Sequence, residues 1–284
     1  MCEPPAEREG SLLIVSSDKC AAHVGTLNTS RPRLTEAIHL LRADPDLAAG
    51  IPPQELGAAT ERAVAAAVQI DPPSWDPTYF RTTATVGWLG LMVTDGLMLR
   101  CVTIGRRSSC ELFGPGDLMR PWDADGEYDP LSVTVHWRVM EPSRVAVLND
   151  HFALRVSRWP TISAQLLSRV ARRARYLGLT HTVTHLPRMD DRLLLLFWLL
   201  AERWGRVNPQ GVSIRLPLTH EVLAMLVGAQ RPTVTVALKR LAAEGLLERK
   251  SQRQWLLTRA AVERLRDVAS VGVEPPAEQG VAAG

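Results

Sequence analysis

The sequence predicts an α+β chain: an antiparallel β-roll preceded by helices, one long helix after it, and a C-terminal pair of short helices closed by a basic hairpin. Three observations carry that expectation. Short apolar runs between Trp75 and Val147 are broken at regular intervals by turn residues. From Thr161 to Leu186 the only glycine or proline is Gly178, and apolar residues recur at helical spacing. Between Leu218 and Leu257 two apolar-periodic segments meet at Gly228 and run into Arg249, Lys250 and Arg253.

In chain order, residues 1–74 read as an N-terminal tail and helices. Met1 to Ser30 is weakly patterned; Leu34 to Gln69 has helical spacing, first at Ala37, Ile38, Leu40 and Leu41 and then from Ala58 to Val68. Residues 75–158 read as the roll. Its strands are Val86–Val93, Met98–Ile104, Ser109–Phe113, Ser132–Val139 and Arg144–Leu148. Thr94-Asp95-Gly96, Gly105, Gly114-Pro115-Gly116 and Glu141-Pro142 supply the turns. Residues 159–187 form the long helix, with Leu166, Leu167, Val170, Ala174 and Leu177 on one side and Pro187 as its stop. Residues 188–270 form the last domain, entered through a helix, Leu193–Trp204, a turn at Asn208-Pro209-Gln210-Gly211 and a strand, Val212–Leu216. Residues 271–284 read as a disordered tail.

The segment after Leu218 is the most specific. Thr219 is a suitable N-cap, Leu218 a hydrophobic staple, and Glu221 suits the positive end of the helix dipole. Val222, Leu223, Leu226 and Val227 form the apolar stripe, and Gly228 ends the helix. Pro232 opens the next helix, where a missing N–H costs nothing. Val234, Ala237, Leu238 and Leu241 face the first helix; Thr233, Thr235, Val236, Lys239 and Arg240 point elsewhere, and Gly245 is the stop. A helix-turn-helix of this kind lays the start of its second helix against base edges in the major groove. Double-stranded DNA is therefore the expected partner. Arg231 can bind guanine O6 and N7 in bidentate fashion, Val236 can touch a thymine methyl, and Thr235 is the third candidate base reader. Thr219, His220, Gln230, Thr233, Lys239 and Arg240 suit phosphate oxygens. A hairpin from Leu246–Glu248 and Gln254–Thr258, anchored by Trp255, adds Arg249, Lys250 and Arg253. The rival expectation is a protein-docking or non-specific DNA module whose basic residues are solvated surface.

Composition bounds the rest. With 284 residues the chain suits about two domains. Hydrophobic content of 46% and charged content of 22% suit a soluble globular protein. Net charge is only +3, so basic residues must be concentrated locally to hold a polyanion. Met1 to Gly10 has no apolar core of a secretory signal, and the longest apolar run, Leu193 to Ala201, is too short for a bilayer. The expectation is a cytoplasmic protein with no membrane partner. Cys2, Cys20, Cys101 and Cys110 show no CxxC or zinc spacing, so free thiols are expected. Cys101 and Cys110 fall on neighbouring predicted strands, which leaves a redox role open. His181 and His185 have the spacing of a two-ligand metal site, but no carboxylate or cysteine joins them locally, and helix surface is the expectation. His136 and Trp137, in a strand, could face a haem-sized cavity, although a lone strand histidine is usually core or rim. No nucleophile elbow, P-loop or dinucleotide fingerprint is visible, so neither an enzyme, a metal nor a cofactor is expected.

The order of helix, roll, long helix and winged helix-turn-helix resembles the Crp/Fnr family of bacterial transcription regulators, over about Leu34 to Thr258. Leu112-Phe113-Gly114-Pro115-Gly116-Asp117 is similar to the loop before the family's phosphate-binding cassette, and Arg144-Val145-Ala146-Val147-Leu148 to its last strand. VGAQRPTVTVALKRLAAEGLLERK is similar to its DNA-reading helix. The resemblance implies a cyclic-nucleotide-binding-like roll, a homodimer paired through Pro160 to Leu186, and two recognition helices about one DNA turn apart. It implies a pseudo-palindromic operator, RNA polymerase as a further partner, and a hinge at Pro187 to Asp190 that carries a signal from roll to wing. Gly116, Asp117, Arg120 and Ser132 are the candidate ligand-loop residues. The family's Gly-Glu pair is Arg120-Pro121 here, and its Arg-Ser/Thr pair falls at Leu131-Ser132-Val133 without an arginine. Those departures, with the acidic insert Trp122 to Asp129, argue against cyclic nucleotide held in the usual way and leave the effector unknown. Pro232 stands at a family base-reading position often held by glutamate, and Val236 where a basic reader falls, so a different operator is implied. A redox- or haem-sensing switch with DNA binding as output is the alternative.

Overall fold

A computed structural model describes residues 34–105, 107–124 and 133–270. The two expected tails, Cys2, Cys20, Ser132 and most of the acidic insert lie outside the described residues. The chain opens with β1 (Leu34–His39), α1 (Leu40–Ala43), a 3-10 turn (Pro45–Ala48), α2 (Pro53–Arg62) and β2 (Val64–Ile70). Next come β3 (Ser74–Trp75), α3 (Thr78–Thr83), β4 (Gly90–Ile104), β5 (Arg107–Phe113), β6 (Leu118–Met119), a second 3-10 turn (Pro121–Ala124) and β7 (Val133–Leu148). Then follow α4 (Asp150–Val156), α5 (Pro160–Thr184), α6 (Met189–Trp204), β8 (Gly205–Asn208) and β9 (Gly211–Ile214). The chain closes with α7 (His220–Leu226), α8 (Arg231–Ala243), β10 (Leu247–Ser251), β11 (Gln254–Thr258) and α9 (Arg259–Ser270).

The roll is an antiparallel sheet in the order β1-β2-β7-β4-β5, with β3 on β7 and β6 on β4. This corrects the helical expectation for Leu34 to Gln69 at both ends, so the roll begins near Leu34 rather than at residue 75. Alanine favours helix in isolation. In β2, however, Ala65, Ala67, Val68 and Ile70 are buried, and the backbone ladders with β7 from Ala66↔Val147 to Ile70↔Ser143. Packing and pairing override the intrinsic preference.

Two expected turns are bulges. Thr94-Asp95-Gly96 and Glu141-Pro142 sit inside β4 and β7, whose mutual register shifts between Val93 and Met98. Gly96 has φ +88°, and a Cβ there would collide with Pro142 and Ser143. Glycine and proline mark a bent ladder here, not its end.

Three apolar clusters hold the molecule. One lies inside the roll, around Phe113, Trp137 and Val145. A second joins α1, α2, α4 and the start of α5 through Leu40, Phe152, Trp159, Ile162 and Leu166. The third runs from Leu97, Leu99 and Leu112 on β4 and β5 into Phe197, Leu223, Leu238 and Trp255 of the C-terminal unit. Roll and helix-turn-helix therefore share a core.

Cys101 and Cys110 form a disulfide in that third cluster, which corrects the expectation of free thiols. They are register partners on β4 and β5, with Cα atoms 4.2 Å apart. Directly opposed antiparallel residues approach to about 4.5 Å, within reach of an S–S bond.

The helix α5 agrees with its predicted span, but its faces divide differently. Ile162, Leu166 and Val183 are buried, whereas Leu167, Val170 and Leu177 are exposed. Leu166 therefore belongs to its own chain's core. The helix α6 starts at Met189, and Asp190 is buried in its first turn, so the linker from α5 is residues 185–188, two residues earlier than the expected hinge at Pro187 to Asp190. Among the described residues no helix is long and apolar enough to cross a membrane.

Candidate nucleic-acid interface

The helix α7 is capped as expected: Thr219 Oγ1 accepts from the Val222 N–H at 3.2 Å. Gly228, with φ +64°, makes the turn that any other residue would strain. The helix α8 then begins at Arg231, which puts Pro232 in its second position rather than its first. Val234, Ala237, Leu238 and Leu241 are buried and seat α8 on α6 and α7. The opposite face carries Arg231, Thr233, Val236 and Lys239, all exposed.

The candidate readers are not equivalent. Arg231 and Val236 are exposed, and Val236 keeps 55% of its surface in solvent. Thr235 is half-buried; its hydroxyl donates to the Arg231 carbonyl at 2.9 Å and meets His220 Nδ1 at 2.9 Å. The hydroxyl has one hydrogen to share between the Arg231 carbonyl and His220 Nδ1. Partial burial, then Arg249 and Arg231, push the His220 pKa down from its usual value.

The phosphate candidates also divide. Gln230, Thr233 and Lys239 are exposed, and Lys239 makes no ion pair among the described residues. Arg240 pairs with Asp190 at 2.9 Å, Lys250 with Glu248 on its own strand, and Arg253 with Glu141 on β7. Arg249 donates from Nε to the Ser251 carbonyl at 3.3 Å and stacks 5.3 Å from the Trp255 ring centroid. Trp255 is buried against Phe197, as its anchoring role requires. Arg231, Arg249, His220, Thr219 and Glu221 line an open cavity of about 400 Å³, with Arg138 of β7 on its far wall. Three guanidinium groups against one carboxylate make this hollow electropositive.

On the ligand side the candidate residues are not brought together. Asp117 Oδ2 accepts from the Gly114 N–H at 2.8 Å and pairs with Arg203 of α6; Arg173 of α5 stands 3.7 Å from Oδ1. Arg120 instead donates to the Trp88 carbonyl at 2.7 Å. Gly116 lines a crevice of about 640 Å³ with Asp117, Arg169, Arg173, Tyr176 and Arg203. Arg173 also pairs with Glu111 at 2.5 Å. Burial lowers the Arg173 pKa, and the two carboxylates oppose that shift. This network ties roll, α5 and α6 together, and the sequence carries no local signal of it. Its partners are 62 and 86 residues apart. His136 is exposed on β7 rather than facing a cavity.

Residues 191–268 match the Crp-like helix-turn-helix domain. That span runs from the first turn of α6 to α9 and includes the α7–α8 pair and its wing. The chain carries a Crp-like helix-turn-helix domain and is similar to transcription regulators of the Crp/Fnr family. It is 29% identical over 178 residues to the regulatory protein CysR of Synechococcus elongatus, an alignment covering 60% of this chain and 76% of that protein. It is 34% identical over 149 residues to a CRP-like cAMP-activated global transcriptional regulator of Mycobacterium tuberculosis. That alignment covers 51% of this chain and 66% of the relative. In fold it is similar to a CooA mutant from Carboxydothermus hydrogenoformans, with TM-score 0.55 and 20% identity over 84% of this chain and 98% of that one. A CprK complexed with OCPA gives TM-score 0.50 at 14% identity, over 75% of this chain and 94% of the other.

Proposed function

We propose that this protein is a homodimeric, sequence-specific DNA-binding regulator that reads an operator with α8 and grips the flanking phosphates with its wing. The observation that carries this is the two-sided character of α8: four buried apolar residues on one face, and Arg231, Thr233, Val236 and Lys239 in solvent on the other. Arg231 and Val236 are the proposed base readers. Thr235, tied to His220, serves to position the start of α8. Arg249, Lys250, Gln230, Thr233 and Lys239 are the proposed phosphate contacts. Of the basic groups here, Lys250, Arg240 and Arg253 reach phosphate only by exchanging a carboxylate partner for it.

The second copy is proposed to pair through α5. Leu167, Val170, Ala174 and Leu177 are exposed and recur at steps of three, four and three residues, the spacing of a two-helix seam. The working units are the roll from 34 to 148, α5, and the winged unit from 189 to 270, acting in the cytoplasm. RNA polymerase is proposed as a further contact on family grounds alone. The Mycobacterium relative is cAMP-activated, but Arg120 and Asp117 here are engaged on different neighbours, and a cyclic nucleotide is not proposed.

Competition between a selected operator and random DNA tests the core of this proposal. Specific binding should exceed random binding by about 10³ or more. Arg231→Ala should lose about 1–3 kcal/mol at one base pair, whereas Lys250→Ala should weaken all sequences alike. Equal loss of specific and random binding by the Arg231 variant would remove its reading role.

The Cys101–Cys110 disulfide favours a second reading, a thiol switch with DNA binding as output, because the pair packs in the core that roll and winged unit share. Reduction with dithiothreitol should then change operator affinity about fivefold or more, and a Cys101→Ser/Cys110→Ser chain should not respond. Identical affinities before and after reduction would leave the disulfide as packing.

A further inference from the structure

We propose that His181 and His185 form half of a tetrahedral site for a divalent transition metal of the zinc type, completed by the same two residues of a second chain across the α5 seam. The two rings stand one turn apart at the end of α5, with Nε2 atoms 3.4 Å apart and ring centroids 4.6 Å apart. Two nitrogens each ~2.05 Å from a metal at the tetrahedral angle stand about 3.3–3.4 Å apart. The same separation is long for a hydrogen bond between rings, which prefers roughly 2.7–3.2 Å. Both residues are exposed, and among the described residues each ring's only polar side-chain contact is with the other. The pair is thus spaced as a chelate and, among the described residues, held by no other side chain.

One chain supplies only two ligands. Among the described residues no group of three or more histidine, cysteine, aspartate or glutamate side chains could hold a metal. The rest of α5 points to where the others come from. Leu167, Val170, Ala174 and Leu177 continue at the same three-and-four spacing to His181, and His185 follows one turn later. Ala171 and Ala174 are small and exposed, and Gly178 has no neighbour within 4 Å of where a Cβ would stand, so a second helix can approach closely. A two-fold pair of α5 helices brings four imidazoles to one end of the seam. A neutral all-imidazole set suits zinc, copper and nickel rather than magnesium or calcium. This inference rests on the homodimer proposed above.

The position also gives the metal a route to the output. His185 caps α5 next to the linker into α6. The Thr184 side chain lies 3.8 Å from where a Cβ on Gly228, the turn of the helix-turn-helix, would stand. Occupancy would pin the last turn of α5 where the winged unit attaches.

The test uses the full chain, stripped with EDTA. Titration with Co²⁺ should give the visible d–d bands of tetrahedral cobalt at one ion per two chains. With Zn²⁺ at about ten times its dissociation constant, the dimer constant in sedimentation equilibrium should tighten about tenfold. His181→Ala and His185→Ala should each abolish the bands and the zinc-dependent tightening of the dimer. A stable dimer without the bands would overturn the metal site and leave the dimer standing. A monomer binding one cobalt per chain, or no cobalt, would overturn the shared site together with the dimer. Bands that persist in both single variants would place the metal elsewhere and overturn the assignment.

Discussion

Replacing Asp117 with alanine is expected to cost about 3 kcal/mol of stability, because it strips a shared carboxylate from two largely buried arginines. Asp117 pairs with Arg203, faces Arg173 at 3.7 Å and accepts from the Gly114 N–H at 2.8 Å. The three side chains keep only 15%, 18% and 12% of their surface in solvent. In the alanine chain Arg173 retains Glu111, but Arg203 loses its ion-pair partner. Burial lowers the Arg173 pKa and its acidic neighbours oppose that shift, so they offset the hydration its guanidinium loses. The expected result in urea is an earlier midpoint with an unchanged slope. Asp117→Asn, which keeps an acceptor for the Gly114 N–H, should fall between the two. A loss below about 1 kcal/mol for the alanine chain would show that solvent already screens this network.

Leu167→Glu combined with Leu177→Glu is expected to abolish the proposed dimer and weaken operator binding by about a hundredfold or more. A monomer reaches one half-site, and the avidity of the second is lost with the pairing. Leu167 is 70% exposed and Leu177 41% exposed in one chain, so the charges should not disturb the fold itself. Light scattering would report the mass, and anisotropy of a labelled operator the affinity. Leu166→Ala is the contrasting case. That residue is buried in its own chain, so its loss should destabilise the fold by about 2–5 kcal/mol without targeting the seam. A doubly charged chain that still dimerised and bound normally would exclude α5 as the pairing element.

The winged helix-turn-helix was legible from the sequence because its signals are local. The Thr219 cap, Gly228 turn and the stripe from Val234 to Leu241 lie within a few turns of what they govern and stand as expected, with Pro232 one position further into α8. Long α5 was legible for the same reason: few breakers and a sustained helical period. Neither cue says which side of α5 looks inward, because apolar residues lie on both. Leu166 packs against α4 and its neighbours while Leu167 does not, and that division depends on where α4 docks.

The sequence by itself determined the elements whose stability is settled within a turn or two: caps, breakers, helical period and the basic wing. Tertiary structure alone decided what depends on distant partners. β2 is a strand because β7 completes its ladder, from Ala66↔Val147 onward. Gly96 and Pro142 bend strands because they face each other across a bulge. Cys101 meets Cys110 through strand register, and Asp117 meets Arg203 because α6 lies against the roll. Local free-energy preferences are written along the chain, whereas pairing and charge contacts exist only once segments far apart in sequence have been brought together.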